Sequence, residues 1–562
     1  MDFPATAASL AAFASAFAQT HRLLKLHFAP GSGIPDDLLL PWQLSGQEGI
    51  NTGFRFELTT LCSDASLPLK HFIGQPIALT LLTDSGAERP ITGWISAARD
   101  AGADGGMSRS VLIVEDLFAI LNLRINNRVF QDLDAKAAVL KIIQEHKSKN
   151  PILAATLTID DRTSRDYPPQ SWITQYNESD AAFSQRRLAE EGINYYFEHQ
   201  LTDGYPVVSL VLFDGNSQLQ DHPDGPIRFH RADGSEESDS ITAWQSLRRL
   251  APAHINAASF DYKTVALAQA HHALRLDQGE AGDQLAATLE DYRHDINHYG
   301  NELDDYQRYA ELRGLALSYA AKHFSGESSV RAFRVGSRFT LSDHPEIDQH
   351  DELDRRFILT QLDIQARNNL DGNRAASLTP QALSSAPGPD SQVYRNRFTA
   401  SRDSVRILPA YRNTEQAQAA APQRLTGTVV GPVQEEIHTD PLGRVKVNLH
   451  FPRSPDHPEA GAHWNENDSP WLRVAQPWTG SSYGALFLPR VGDEVSVGFV
   501  GGDIDRPIVL GQVYNGSHHP PTFSHAGDLP GNKALSGIKS KMYKGAGANE
   551  LILDDSTQEL RA

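Results

Sequence analysis

The chain has 562 residues, 40% of them hydrophobic, and a formal charge of −19. That length favours several domains with substantial cores, while the acidic balance argues against a nucleic-acid partner, whose phosphates require a basic surface. A lone cysteine, Cys62, excludes an internal disulfide framework and reads as a packed thiol.

The first segment, 1–22, is apolar from Ala5 to Ala18, and Ala16-Phe17-Ala18 imitates a signal-peptidase site. Met1-Asp2-Phe3-Pro4 supplies no basic region ahead of it, however, so no signal peptide is expected. Leu10, Phe13, Ala14 and Phe17 fall at helical spacing and predict a small helix or a flexible arm. Nothing approaches the roughly 18 consecutive apolar residues of a membrane span, so production in the cytoplasm is expected.

From about Leu23 to Val114 the pattern is strand-like, as in Phe54-Arg55-Phe56-Glu57-Leu58 and Ile77-Ala78-Leu79-Thr80-Leu81-Leu82. Between Asp134 and Lys147 the period switches, and Val139, Ile142 and Ile143 share a helical face. Ser179 or Asp180 can cap a short helix with Phe183 and Leu188 on its apolar side, and Gly192 can end it before an aromatic strand. Strands resume through Leu210-Val211-Leu212-Phe213. A longer helix is predicted over Leu303 to His323, with Tyr306, Tyr309, Leu312, Leu315 and Ala316 near one side, and further strands end near Ile364.

Residues 375–423 have the Ala, Pro, Ser and Gln composition of a linker, although Tyr394, Phe398 and Ile407 imply that parts of it pack. Beyond it, Asp440, Pro441 and Gly443 serve a turn, and strict alternation then puts Val445, Val447, Leu449 and Phe451 on one strand face. Arg444, Lys446 and Asn448 are expected to point outward. Further short strands around Trp471–Val474, Tyr483–Phe499 and Arg506–Gly516 predict a small barrel over 424–516.

Within the predicted barrel stand Gly443-Arg444-Val445-Lys446-Val447, Pro489-Arg490-Val491-Gly492-Asp493-Glu494-Val495, Gly501-Gly502-Asp503 with Arg506-Pro507, and Gly511-Gln512-Val513-Tyr514-Asn515. Earlier in the chain stand Gln175-Tyr176-Asn177-Glu178-Ser179-Asp180, Phe183, Arg187-Leu188, Glu190-Glu191-Gly192-Ile193 and Tyr195-Tyr196-Phe197-Glu198-His199, with Leu123-Arg124, Arg128 to Asp132, Gly336, Phe339, Leu341 and His344-Pro345 on either side. In this order the motifs resemble the VgrG spike family of the bacterial type VI secretion system, itself similar to the hub and spike proteins of contractile phage tails.

The resemblance implies a mainly β, α+β chain. It would comprise a phage-hub-like domain over 23–374 with two tube-like β-barrels and helical insertions, the 375–423 linker, and an OB-fold barrel over 424–516. A connector over 517–562 would enter a trimeric β-helix needle through Gly545 to Asp555, whose open strand edges one chain alone could not satisfy. Only the first residues of such a needle are present, so a longer native chain is expected. The family further implies a homotrimer that caps the Hcp tube hexamer, contacts the baseplate, carries a PAAR-repeat tip protein and effector or adaptor proteins, and is secreted on contraction. It would enter a target membrane only as part of the injected spike. A phage or prophage tail hub is the alternative, followed by a hydrolase or the core of a spike with a C-terminal effector enzyme.

Enzymatic candidates are set against structural roles. Gly480-Ser481-Ser482-Tyr483-Gly484 matches a serine-hydrolase elbow, but that motif needs a strand before Ser482 and a helix after it, and a second β-like segment follows here. His271-His272, His518-His519 and the His-Pro pairs at His222, His344 and His457 lack the spacing of a compact zinc site. Glu190 with Glu191, or Asp554 with Asp555, could be drawn as acid and base, yet sequence adjacency does not supply the separation that glycoside hydrolysis needs. Gly545-Ala546-Gly547 lacks the context of a phosphate loop. The expectation is no catalytic, cofactor-binding or metal site, and no cofactor.

Overall fold

The computed structural model describes residues 22–62, 67–104, 107–230, 238–295, 303–369, 393–410, 422–453 and 462–557. The N-terminal helix expected over Leu10 to Phe17, much of the 375–423 segment and His457 lie outside the described residues. Contacts divide the chain into two compact units.

The first unit comprises 1–125, 135–168 and 179–417. Its centre is a 12-stranded sheet. Gly53–Cys62 shows why these residues make strands: Phe54, Phe56 and Leu58 are buried while Arg55 between them is exposed, the period-two pattern of a half-buried strand. It pairs antiparallel with Leu40–Gly49, which on its other side pairs with Arg356–Arg367 and so joins the N-terminal strands to the later ones.

Tyr394–Arg402, inside the segment of linker composition, is an interior strand of this sheet, paired with Arg356–Arg367 and with Lys322–Ser328. Tyr394, Phe398 and Ile407 are buried in the main core. Cys62 is buried there as well, a packed thiol.

Three of the expected helices are present, while Leu117–Leu121, Pro151–Thr156 and Gly279–Ala286 are helices that the sequence pattern did not show. Ala135–Lys149 buries Val139, Ile142 and Ile143. Asp180–Glu190 starts at Ser179, whose Oγ accepts from the Ala182 amide at 3.1 Å, and Gly192 at φ +71° turns the chain out of it. Leu303–Ala321 buries Tyr306, Tyr309 and Leu312. It packs through Tyr306 and Ala310 against Ala257 and Ala270 of a separate three-stranded sheet formed by His254–Asp261, Ala266–Ala273 and Glu290–Asp295.

The second unit comprises 126–134, 169–178 and 418–562. Four antiparallel strands run in the spatial order Lys446–Leu449, Arg424–Val430, Glu494–Phe499, Pro507–Gln512. The segment after Trp471 spans the two open edges. Val445 and Leu472 exchange backbone bonds of 2.9 and 2.7 Å on one side, while Ala475 and Val509 donate to Val509 and Arg473 at 2.8 and 2.9 Å on the other. Closure in this way leaves no free edge between them, as in an OB-type barrel.

Val429, Val445, Val447, Leu449, Leu472, Val495, Val497 and Val509 fill its interior, with Phe451 partly buried at the margin. Val129 and Trp172 join the same core from the two short segments contributed by the N-terminal half. Lys446 is partly exposed, as expected, but Asn448 corrects the outward assignment, being only 4% exposed. With its oxygen turned toward the Trp464–Asn465 loop, its amide accepts from both of those backbone nitrogens at 3.3 and 3.2 Å, so the loop covers a side chain that alternation alone assigns to solvent.

Candidate assembly surface

The chain after the barrel forms a hairpin of Leu535–Lys539 with Glu550–Asp554. Its register puts Ile538 opposite Leu551, Ser536 opposite Leu553 and Gly537 opposite Ile552, so the two faces carry different residues. On one face buried Phe523 lies over Gly537, where an added Cβ would fall 2.9 Å from the Phe523 ring. On the other, Ile538, Leu551 and Leu553 are 51%, 59% and 47% exposed. A two-stranded hairpin is marginal by itself, and an apolar face left open marks a surface built for association.

Charged groups fix the hairpin's loop. Glu436 accepts from Arg490 Nη1 at 2.8 Å, from the Lys544 amide at 3.1 Å and from Lys541 Nζ at 3.2 Å. Beside it, Glu435 accepts from the Tyr543 hydroxyl at 2.5 Å. The Lys544 amide, then Lys541, hold Glu436 below the usual carboxylate range, and the Tyr543 hydroxyl does the same for Glu435. At the strand end, Lys539 and the Ser524 amide pull Glu550 down to about 2. More apolar side chains stand open on the barrel's loops: Leu442, Trp478, Tyr483, Leu486 and Tyr514 are each at least 60% exposed.

Several of the residues weighed as enzymatic candidates have definite surroundings. Thr479–Gly480 pairs with Tyr483–Gly484, so Ser482, at φ +65° and exposed, tips a tight β-hairpin and is followed by no helix. His271 bonds Asn256 Oδ1 at 2.6 Å, whereas His272 packs against Gly314 on the opposite face of the same strand. Among the described residues no group of three or more His, Cys, Asp or Glu side chains is placed to hold a metal.

Glu190 and Glu191 are both buried and point to different partners. Glu190 binds Arg187 at 2.6 Å and Arg186 at 3.3 Å, and Glu191 binds Arg308 at 2.7 Å and the Tyr309 hydroxyl at 2.9 Å. The Glu190 pairs lie within the capped helix, and the Glu191 contacts tie its C-terminal end to the Leu303–Ala321 helix. The interactions of Glu191 with Arg308 and Tyr309 span more than a hundred residues of sequence, so only the short-range i, i+3 and i, i+4 pairing of Glu190 could have been read in advance.

A large mixed β unit joined to a closed barrel and an apolar-faced hairpin agrees with the class of tail hub and spike proteins: residues 47–370 match the phage tail baseplate hub (GPD) family, and 427–514 match the type VI secretion system/phage-baseplate injector OB domain. The chain belongs to the phage tail baseplate hub family and is a VgrG-like type VI spike protein. Among its relatives, the type VI secretion system spike protein VgrG1a of Pseudomonas aeruginosa is 27% identical over 529 residues, covering 92% of this chain and 74% of that protein. VgrG4b of the same organism is 30% identical over 556 residues, covering 96% of this chain but only 61% of the relative. The E. coli c3393 protein, described as a component of the type VI secretion system with structural similarity to the T4 tail proteins gp27 and gp5, superposes with a TM-score of 0.55. It shares 17% identity, over 87% of this chain and all of that one.

Proposed function

We propose that three copies of this chain assemble around one axis as a non-enzymatic spike that caps the Hcp tube, contacts the baseplate, receives a PAAR-repeat tip protein and carries effector or adaptor proteins into a target cell. It is made in the cytoplasm and leaves by contraction of the apparatus. The reading rests above all on the C-terminal hairpin, where Phe523 covers one face and Ile538, Leu551 and Leu553 stand open on the other. Three such hairpins meeting on those residues would bury an apolar seam and satisfy strand edges that a single copy leaves free.

Sedimentation of the native full-length chain tests it. Trimer mass at micromolar concentration is expected, and the paired changes Leu551→Lys and Leu553→Lys should shift the protein to monomer with its hub unit still folded. A stable monomer for the unaltered full-length chain would overturn the proposal.

A further inference from the structure

Within the first unit lies a polar cleft of about 350 Å³, lined by residues of three loops that include Ser164, Arg165, Ser217, Ser404 and Arg406. Two polar centres, buried Asp214 and half-buried Asn216, brace its walls. Asp214, 2% exposed, accepts from the Ser164 and Arg165 amides, the Ser164 hydroxyl, the Tyr167 hydroxyl at 2.9 Å and Gln218 Nε2 at 2.7 Å, and so fixes the loop that carries Arg165. Asn216 donates to the Asp403 and Val405 carbonyls at 2.8 Å each and accepts from the Ile407 amide at 3.1 Å, fixing the loop that carries Arg406.

Every carboxylate on the cleft wall is already engaged. Asp214 has the donors just named, and Asp403 pairs with Arg338 at 2.9 Å and Arg356 at 3.6 Å. The two arginines differ from them: among the described residues neither Arg165 nor Arg406 is ion-paired, and Arg406 Nε is buried without a hydrogen-bond partner. Burial, and then the like charge of Arg165, push the Arg406 guanidinium below its ordinary pKa, with Asp214 and Glu311 offsetting part of the effect. A net −19 chain thus holds two adjacent cations on preorganised loops with their donors unspent.

We propose that this cleft is an oxyanion site, taking a phosphate or carboxylate group between Arg406 and Arg165 with the Ser217 and Ser404 hydroxyls as further donors. Planar guanidinium forks suit such groups, and hydrogen bonds to charged acceptors are the strong ones. The anion could be free, or could be a carboxylate carried by a neighbouring protein copy.

Isothermal titration of the full chain with inorganic phosphate, at ionic strength held constant with chloride, tests the site. Saturable binding is expected, weakened at least about tenfold by Arg406→Gln and by Arg165→Gln, since each removes one charge-assisted contact. Arg165 is exposed and its side chain has no partner, so Arg165→Gln keeps the fold and the test intact. If assembly mass is the same with and without phosphate, the anion is a free one. If phosphate and Arg406→Gln both weaken assembly, a neighbouring copy supplies the carboxylate. Absence of saturable binding, or equal binding by wild type and both variants, would overturn the proposal.

Discussion

Val447 gives the sharpest test of the barrel. It is fully buried, lies opposite Val429, and its Cγ1 sits where a Cβ on Gly427 would be only 2.5 Å away, so the backbone presses against the side chain and cannot move in further. Val447→Ala removes two methyl-sized groups worth about 0.8 kcal/mol each in transfer, and an unrelaxed cavity brings the cost to about 2–3 kcal/mol. Hydrogen exchange reads this directly. Protection at the Val429 and Val445 amides, which donate to Asp493 and Leu472 inside the barrel, should fall about 30- to 150-fold if those amides exchange through opening of the whole barrel. Its neighbour Lys446 lies on the other face, where Nζ donates to the Glu466 carbonyl at 2.7 Å and stands 5.5 Å from the Trp471 ring centre. Lys446→Ala should therefore cost only about 1 kcal/mol. Val447→Asp, which would bury an unpaired carboxylate, should abolish soluble assembly. Equal protection in wild type and Val447→Ala, together with a large loss in Lys446→Ala, would refute the register on which the argument rests.

Gly192→Ala should lower the thermal midpoint of the first unit, by a cost of about 1–2 kcal/mol for the left-handed backbone alone; its Cβ would also fall 2.7 Å from Leu312 Cδ2. Glu435, Glu436 and Glu550 all have folded-state pKa values below the ordinary glutamate value of 4.5. Their contribution to hairpin docking is therefore complete above that value and lost as pH falls through the depressed ones. Protection of the Lys544 amide should drop on acidification from about pH 6 to about pH 3 while that of Val445 persists, and Glu436→Gln should remove much of this dependence. Ser482→Ala should leave secretion and any associated toxicity unchanged, and Ser482→Gly should be neutral or slightly stabilising by thermal melt, because glycine relieves the left-handed turn. Loss of an esterase activity in folded Ser482→Ala protein would reverse the non-enzymatic reading.

Where one face of an element is buried and the other wet, the sequence announced it. Val445, Val447 and Leu449 alternate with Arg444 and Lys446, and Val139, Ile142 and Ile143 recur at helical spacing. Local pattern fails where burial comes from afar. Asn448 looks outward until the Trp464–Asn465 loop closes over it. The strands His254–Asp261 and Ala266–Ala273 are built largely of Ala, Ser, Asn, Gln and His, with few of the β-branched residues that signal a sheet, because Tyr306 and Ala310 of a later helix supply the packing. The open face of the C-terminal hairpin could be suspected from Leu551 and Leu553, but which face Phe523 covers depends on register, and a slip of one residue would exchange the two.

The motif Gln175 to Asp180 reads in sequence as one uninterrupted hub signature, yet its residues serve two compact units. On one side, the Thr174 amide donates to Asp505 Oδ1 at 2.6 Å, Trp172 fills the barrel core and the Tyr176 ring meets Phe451 edge-on at 5.2 Å, so Pro169–Glu178 is part of the unit that contains the barrel. On the other, Ser179 caps the helix and Asp180, fully buried, binds His146 at 2.7 Å within the hub unit. The division falls between Glu178 and Ser179, at the end of the Ile173–Ser179 strand and the cap of the helix that follows. No periodicity could reveal it, because both halves obey the local rules of a strand running into a capped helix. What separates them is the identity of their distant partners, Asp505 and Phe451 far downstream for one half and His146 upstream for the other. A change at Trp172 should therefore register in the stability of the barrel, three hundred residues downstream in sequence, and leave the Asp180–Glu190 helix protected against exchange. Removing the large Trp172 side chain by Trp172→Ala should cost the barrel about 3–5 kcal/mol, and a loss confined to the Asp180–Glu190 helix would show that the division is drawn in the wrong place.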